Sequence, residues 1–278
     1  MDGFIVYPTY RITDGKAQVL LFGRLSGGES FVSIHDFRPY FWIREKDHEK
    51  ANRILTELDA KNVEIEASEF RNFDDDPVAK VILSIPGEVP ELRKIFTEHA
   101  IPSYEADIRF AYRFLIDHNI KGCMRISGKT EERPEFAVDK VFVNPEIAPT
   151  TFDPKLRVLS LDIETDVKGA QVYAISLYSD RVKKVLLLNE RSYRNAESFS
   201  TEKELLEAFA NAVRQEDPDI ITGWNLVDFD LKLLRDQFAR HGLPFILGRT
   251  LDECKLRLTD SFYQDSTADF PGRAVLDG

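Results

Sequence analysis

The alternation of apolar and polar residues predicts that the first half of the chain is built mainly from short strands. The predicted strands lie at 4–7, 18–22, 30–34, 39–43 and 78–85. Apolar residues at helical spacing predict helices at 47–60, 90–99 and 108–119. A β-rich start followed by alternating strands and helices predicts a small α+β domain of the split βαβ type.

Between about residues 122 and 154 the chain is polar and interrupted by Pro and Gly, which is typical of a domain junction. We therefore predict an N-terminal domain at 1–150 and a second domain at 151–278. In the second domain the pattern predicts strands at 157–164, 171–178, 184–188 and 219–222, and helices at 201–216 and 226–240. The first three strands are expected to form a meander, and Ser200 or Thr201 is expected to cap the first helix. Strands, helix, strand and helix in this order predict an α/β domain of the ribonuclease-H-like type.

The composition narrows the class of protein only a little. The 278 residues are 43% hydrophobic and 31% charged, which is enough to build the cores of two domains. No apolar run approaches the length of a membrane span, and Cys123 and Cys254 lie far apart, as expected for a reduced, cytoplasmic protein. The net charge of −11 argues against a broad basic surface for nucleic acid, but it is compatible with an acidic cleft that binds cations.

Two carboxylates in the first strand of the second domain are candidate metal ligands. Asp162 and Glu164 are two residues apart, so a strand places them on the same face, while Ile163 points into the core. Like charges this close raise each other's pKa unless a cation lies between them. A solvated strand end would carry the same two residues, so this alternative stays open.

A third carboxylate follows at the beginning of the last predicted helix. Asn225 is expected to cap this helix, and Asp228 lies in its first turn, where acids are common. Asp230 instead falls within the apolar arc of the helix, so it faces the body of the domain and needs a partner. Three converging acids are the minimum set for holding two divalent cations on a phosphodiester.

The segments that carry these acids resemble those of a known enzyme family. Leu161-Asp162-Ile163-Glu164-Thr165 is similar to the first exonuclease motif of family B DNA polymerases, and Asn225 followed by Phe229-Asp230 is similar to the second. Further similar segments lie at 37–41, 105–108, 110–117 and 245–249, in the order found in archaeal members. The related bacterial repair polymerase is also similar. The resemblance extends over nearly the whole chain.

The resemblance implies an N-terminal domain with an RNA-recognition-like part, followed by a 3′–5′ proofreading exonuclease domain. The residues that it assigns to catalysis and to two Mg²⁺ or Mn²⁺ ions are Asp162, Glu164 and Asp230. The residues that it assigns to binding of the 3′-terminal nucleotide are Asn225, Phe229 and Thr165. The implied partners are single-stranded and primer–template DNA and, through a part of the polymerase outside this chain, a sliding clamp.

The resemblance also implies a second site, because archaeal members hold template uracil in an N-terminal pocket. The matching residues are Tyr10, Pro39, Pro86, Val89, Phe110 and Arg113. A tight apolar pocket with backbone hydrogen bonds would accept uracil and exclude the methyl group of thymine by steric clash. The alternative is that Pro39 and Phe110 are ordinary core residues and that Arg113 is a surface charge.

The third exonuclease motif of the family, Tyr-x-x-x-Asp, and the polymerase carboxylates are absent from the sequence. We therefore interpret the chain as an N-terminal fragment of a larger polymerase, whose truncated exonuclease domain binds metal weakly and has little or no activity. Two alternatives stay open. One is a module that binds template uracil, with an inert exonuclease half, and the other is a free-standing ribonuclease-H-like nuclease. The sequence does not distinguish an archaeal parent from a bacterial one.

Overall fold

The computed structural model describes residues 1–168, 171–259, 261 and 263–278. The strands of the first half are β1 (Asp2–Thr13), β2 (Lys16–Leu25), β3 (Ser30–Asp36), β4 (Tyr40–Arg44), β5 (Glu64–Arg71), β6 (Pro77–Ile82), β7 (Ser103–Tyr104), β8 (Cys123–Ser127), β9 (Thr130–Glu131), β10 (Lys140–Val143) and β11 (Glu146–Pro149). Its helices are α1 (His48–Glu57), α2 (Val89–Glu98) and α3 (Phe110–Asp117).

The strands of the second half are β12 (Val158–Thr165), β13 (Val172–Tyr178), β14 (Lys183–Leu188), β15 (Ala196–Phe199), β16 (Ile220–Gly223), β17 (Lys255–Arg257), β18 (Thr267–Asp269) and β19 (Ala274–Asp277). Its helices are α4 (Glu202–Glu216) and α5 (Lys232–Arg240). A π-helical stretch, Leu226–Leu231, leads directly into α5. The predicted helix at 226–240 is therefore two kinds of helix joined end to end.

The first half contains two sheets. Seven strands form one sheet in the order β11-β8-β1-β2-β3-β10-β9, and four form another in the order β5-β6-β4-β7. Along the chain the smaller sheet reads β4-α1-β5-β6-α2-β7, which confirms the predicted split βαβ type. The strand β5 was not predicted, because its exposed, mostly polar residues at the sheet edge give no clear alternation.

The second half contains a six-stranded sheet in the order β15-β14-β13-β12-β16-β19. The pairs β12–β13 and β13–β14 are antiparallel, as predicted for a meander, whereas β16 runs parallel to β12. Helices α4 and α5 share one apolar core with the sheet, through residues such as Leu161, Phe209 and Phe238. The predicted cap of α4 is confirmed, because Thr201 Oγ1 accepts from Glu204 N at 3.2 Å, and Glu204 Oε2 accepts from Thr201 N at 3.1 Å.

The described structure therefore confirms the predicted fold class, an α+β half followed by an α/β half. All pairs between these named strands join partners within 2–149 or within 158–277. An isolated bridge between Phe136 and Thr250 connects the two parts. The assignment of a domain boundary at residue 150 stays a prediction.

The two halves also meet at a cluster of charged residues, termed the interface cluster, made of the half-buried Asp217 and the buried Arg24, Asp219, Arg249 and Arg273. Arg24 Nε donates to the two carboxylate oxygens of Asp219 at 3.2 and 3.0 Å, and its Nη2 donates to Asp217 Oδ2 at 3.0 Å. Burial raises the pKa of Asp217, but Arg249, Arg273 and Arg24 lower it more, so that it lies below its usual value. Burial and the nearby charge of Arg249 lower the pKa of Arg273 to about 10. Arg24 thus joins strand β2 to the second half through ionic hydrogen bonds shielded from water.

We expect the first half to lose stability in mild acid because of His35. This residue is buried against the ring of Phe114, and burial, followed by the charge of His118, lowers its pKa to about 4, while Asp36 opposes the shift. The unfolded chain therefore binds a proton near pH 6.5, and the folded protein does so only near pH 4. His35 therefore does not lower the free energy of unfolding above about pH 6.5. As the pH falls towards 4, protonation of His35 in the unfolded chain lowers the free energy of unfolding by up to about 3 kcal/mol.

Urea unfolding of the wild type and of His35→Gln between pH 7 and 5 measures this effect. The variant should show a shallower pH dependence than the wild type, whereas His99→Gln, which alters an exposed histidine, should retain the wild-type slope. Equal slopes in His35→Gln and the wild type would show that His35 does not cause the acid sensitivity.

Candidate active site

Strand β12 presents the two predicted carboxylates on one face. Asp162 and Glu164 are exposed, while Leu161 and Ile163, which alternate with them, are buried in the core of the second half. The predicted orientation of this strand is therefore confirmed. On the neighbouring strand β13, Ser176 lies opposite Asp162 and Ala174 opposite Glu164, so small side chains flank the acidic pair.

The end of strand β16 leads into the second predicted motif through a tight turn. At Gly223 an added Cβ would lie 2.6 Å from the backbone oxygen of Leu161, so glycine permits the close approach of β16 and β12. Asn225 has a left-handed backbone, with φ 51° and ψ 35°. Asn225 occupies the predicted N-cap position, but its side chain makes no capping hydrogen bond. Asn225 forms the turn between β16 and the helix through this left-handed conformation, and it is exposed to solvent.

A carboxylate from a distant strand caps the helix instead. Asp277 Oδ1 accepts from the backbone N–H of Leu226 at 2.6 Å, and Oδ2 accepts from that of Val227 at 3.0 Å. The sequence pattern alone does not single out Asp277. The available signal was an acid at the end of a strand, and its use required knowing that β19 pairs with β16 in parallel.

Asp230 is buried at the edge of strand β12, as the apolar arc predicted, and is only 2% exposed. Its Oδ1 accepts from the backbone N–H of Ile163 at 3.0 Å, which places this carboxylate next to the segment between Asp162 and Glu164. Burial raises the pKa of Asp230 to about 6, the hydrogen bond from Ile163 opposes the shift, and the like charges of Asp162 and Asp277 add to it. The structure therefore brings Asp230 and Asp162 close enough for their negative charges to repel each other.

The carboxylate groups of this site are suitable ligands for a divalent cation. Carboxylate oxygens are the ligands preferred by Mg²⁺, and a cation would relieve the like-charge repulsion that adds to the effect of burial on the pKa of Asp230. Within the described residues, however, no group of three or more His, Cys, Asp or Glu side chains is arranged to hold a metal ion. The convergence of Asp162, Glu164 and Asp230 on two ions therefore stays a prediction.

The residues predicted to bind the terminal nucleotide lie around the same place. Phe229 is 44% exposed although it belongs to the π-helical stretch, and Trp224, which precedes Asn225 in the sequence, is 83% exposed. Thr165, at the end of β12, donates from Oγ1 to the backbone oxygen of Asp166 at 3.1 Å. Exposed aromatic surface of this kind provides an apolar face for a sugar or base.

A separate cavity of about 780 Å³ is lined by residues of the first half of the chain and by Ala274 of strand β19. The six residues of the predicted uracil pocket all line it, namely Tyr10, Pro39, Pro86, Val89, Phe110 and Arg113. Tyr10 packs edge-on against Phe110, with ring centroids 5.5 Å apart. The structure thus brings together residues that are spread over more than 100 positions of the sequence.

Arg113 is a buried part of this cavity and not the surface charge that the alternative interpretation required. Its Nη2 donates to Glu105 Oε2 at 2.7 Å, and its guanidinium lies 4.9 Å from the ring centroid of Tyr40. Its Nε is buried and has no hydrogen-bond partner within the described structure. A buried donor without a partner is costly.

Comparison with known proteins identifies the family to which the chain belongs. The family model for the DNA polymerase family B exonuclease domain matches residues 101–277, more than half of the chain. The chain belongs to DNA polymerase family B. No helix in the described part of this family B chain is long and apolar enough to cross a membrane.

The chain is similar to DNA polymerases of several archaea. It is 28% identical over 269 residues to that of Thermococcus sp. strain GE8, covering 91% of this chain and 14% of the relative. The identity to that of Desulfurococcus sp. strain Tok is also 28%, covering 91% of this chain and 31% of the relative. The family B DNA polymerase of Pyrobaculum calidifontis matches with a TM-score of 0.78 at 25% identity, covering 100% of this chain and 36% of that one. This family B chain thus spans between about a seventh and about a third of the length of these proteins.

Proposed function

We propose that the second half, residues 151–278, is the 3′–5′ proofreading exonuclease domain of a DNA polymerase and that residues 1–150 form its N-terminal domain. The substrate is the 3′-terminal phosphodiester of single-stranded or frayed primer–template DNA. The observation that supports this proposal most strongly is the hydrogen bond from Ile163 N to Asp230 Oδ1, which brings the second motif against the first.

In this proposal each residue has a distinct task. Asp162, Glu164 and Asp230 would hold two Mg²⁺ or Mn²⁺ ions, which when bound activate water and stabilise the leaving 3′-oxygen. Asn225 offers an amide for hydrogen bonds to the terminal nucleotide, Phe229 offers an apolar face for its sugar or base, and Thr165 contacts it from the end of β12. Since no preformed set of three carboxylates lies within the described residues, we expect metal binding by this chain to be weak and hydrolysis slow.

Hydrolysis of a 3′-labelled single strand tests the proposal. In excess Mn²⁺ the chain should release mononucleotides slowly from the 3′ end, and Glu164→Gln should abolish the release because one carboxylate ligand is lost. Asp252→Asn, which alters an exposed acid near Thr250, is a matched control and should cleave like the wild type. Equal release by Glu164→Gln and the wild type would contradict the assignment of Glu164.

The cavity of the first half supports a second function, recognition of uracil in a single-stranded template. The observation in its favour is that all six predicted residues line one cavity whose buried Arg113 has an unpartnered donor. An apolar wall of Tyr10, Val89 and Phe110 would accept the flat face of uracil, and a wall atom close to C5 of the base would exclude the methyl group of thymine.

We expect the chain to bind an oligonucleotide with one uracil about tenfold more tightly than the same strand with thymine, the discrimination that a methyl clash can give. Tyr10→Ala should remove this preference, because Tyr10 lines the cavity and is partly exposed. Phe70→Ala changes an exposed aromatic residue that does not line this cavity and should keep the preference. Fluorescence anisotropy with the two strands measures both variants, and equal affinities of the wild type for the two strands would refute the uracil function.

A further inference from the structure

The turn that carries the second motif is stabilised by one side chain from outside the motif. The two N–H groups that begin the helix, those of Leu226 and Val227, both donate to Asp277, at 2.6 and 3.0 Å. The side chain of Asn225, which could have accepted such a bond, makes no capping contact. The start of the helix is therefore fixed by strand β19 and not by its own sequence.

The position of Asp277 follows from the sheet. Strand β19 runs parallel to β16, and Asp277 lies opposite Gly223, the last residue before the turn. The backbone N–H of Gly278 donates to the backbone oxygen of Gly223 at 3.0 Å, which closes the pairing at this end. The pairing of β19 with β16 therefore fixes the position of the Asp277 carboxylate at the start of the helix. Its negative charge lies at the positive end of the helix dipole.

The same turn sets the orientation of Asn225 and Phe229, the residues proposed to bind the nucleotide. Asn225 is held in a left-handed conformation immediately before the two capped N–H groups. The backbone N–H of Phe229 donates to the backbone oxygen of Asn225 at 3.1 Å, so the orientation of Phe229 depends on this turn. Asp230 has an additional anchor, because its carboxylate is hydrogen-bonded to strand β12. Loss of the cap would therefore disturb Asn225 and Phe229 more than Asp230.

We infer that Asp277 is a positioning residue of the exonuclease site, which sets the geometry of Asn225 and Phe229 for the terminal nucleotide. This inference rests on the proposed exonuclease function. Each oxygen of Asp277 accepts a hydrogen bond from a backbone N–H at the start of the helix, and we assign its task to holding the turn. A residue that only supported the fold would affect stability and leave the affinity of the folded protein for nucleotide unchanged.

Asp277→Ala and Asp277→Asn test the inference, with Asp228→Asn as a matched control that removes an exposed charge from the same helix start. Three quantities are measured at a temperature where every variant is folded. They are the affinity for dTMP in excess Mn²⁺, the affinity for Mn²⁺ alone, and hydrogen exchange at the amides of Leu226 and Val227.

We expect Asp277→Ala to weaken dTMP binding by about tenfold or more, the effect of losing a pair of charge-assisted hydrogen bonds that orders the binding residues. Exchange at the two amides should accelerate by at least about tenfold, because they lose their acceptor. Mn²⁺ affinity should change by less than about threefold. Asp277→Asn keeps one carbonyl oxygen and should recover part of the dTMP affinity, while Asp228→Asn should match the wild type.

Each alternative gives a different result. Wild-type dTMP affinity in folded Asp277→Ala, or unchanged exchange at the two amides, would overturn the inference. A loss of Mn²⁺ affinity as large as the loss of dTMP affinity would also overturn it, because Asp277 would then act on the metal ligands. If the wild type itself binds no dTMP in excess Mn²⁺, the proposed exonuclease function fails and the inference fails with it, a result distinct from equal binding by wild type and variant.

Discussion

Asp230→Asn should lower the affinity for Mn²⁺ on the order of 100-fold and at the same time stabilise the metal-free protein. The affinity falls because a neutral amide replaces a carboxylate ligand, and about 3 kcal/mol of binding free energy corresponds to this change. The stability rises because the buried charge of Asp230 and its repulsion with Asp162 disappear, while the amide oxygen still accepts from Ile163. We expect a gain of about 1–3 kcal/mol in the free energy of unfolding at pH 8.

Calorimetric Mn²⁺ titration and urea unfolding without metal measure the two changes. Opposite signs of the two effects are the signature of a residue kept for function at the expense of stability. Asp228→Asn, on the exposed side of the same helix start, should alter neither quantity appreciably. If Asp230→Asn destabilises the protein and binds Mn²⁺ normally, Asp230 is a structural residue and the proposed site is wrong.

Arg24→Ala should destabilise the protein by up to about 3–5 kcal/mol, because it removes one of the cationic partners of the carboxylates in the interface cluster. Arg24 is 1% exposed, and Asp219, which it contacts through both carboxylate oxygens, is fully buried. Arg249 remains beside Asp219 at 2.8 Å, so the loss is partial and the second half should keep its fold. The strongest effect is expected where strand β2 meets the second half.

Urea unfolding of Arg24→Ala, followed by hydrogen exchange, locates the loss. Amides of β2 should exchange faster, while those in the centre of β12 and β13 should change little. Arg38→Ala is the matched control, because Arg38 forms an exposed ion pair with Glu64, and such pairs contribute little. A change in Arg24→Ala no larger than in this control would show that the interface cluster does not hold the halves together.

The first part of the candidate site was predictable because it depends on local periodicity. A period of two puts Asp162 and Glu164 on one face of a strand, and a period of 3.6 puts Asp230 among apolar residues. The structure confirms both orientations. Asp230 is buried, as expected for an acid that lies among the apolar residues of a helix. Residues that break a local pattern were thus the useful signal.

The remainder depends on contacts between distant parts of the chain. The left-handed turn at Asn225 and the π-helical stretch after it are stabilised by Asp277, which lies 51 residues from Leu226. No local pattern encodes this contact, so a regular helix with an Asn cap was expected. The polar edge strand β5 was missed for a related reason, because pairing with β6 forms it without a buried face of its own.

The most direct test of the account is a crystal of the protein soaked with Mn²⁺ and dTMP. We expect anomalous density beside Asp162, Glu164 and Asp230, with the nucleotide against Phe229 and the amide of Asn225. Saturating Mn²⁺ that leaves no density at these carboxylates in a well-ordered crystal, or dTMP bound only elsewhere, would contradict the assignment of this site as a metal-dependent exonuclease centre.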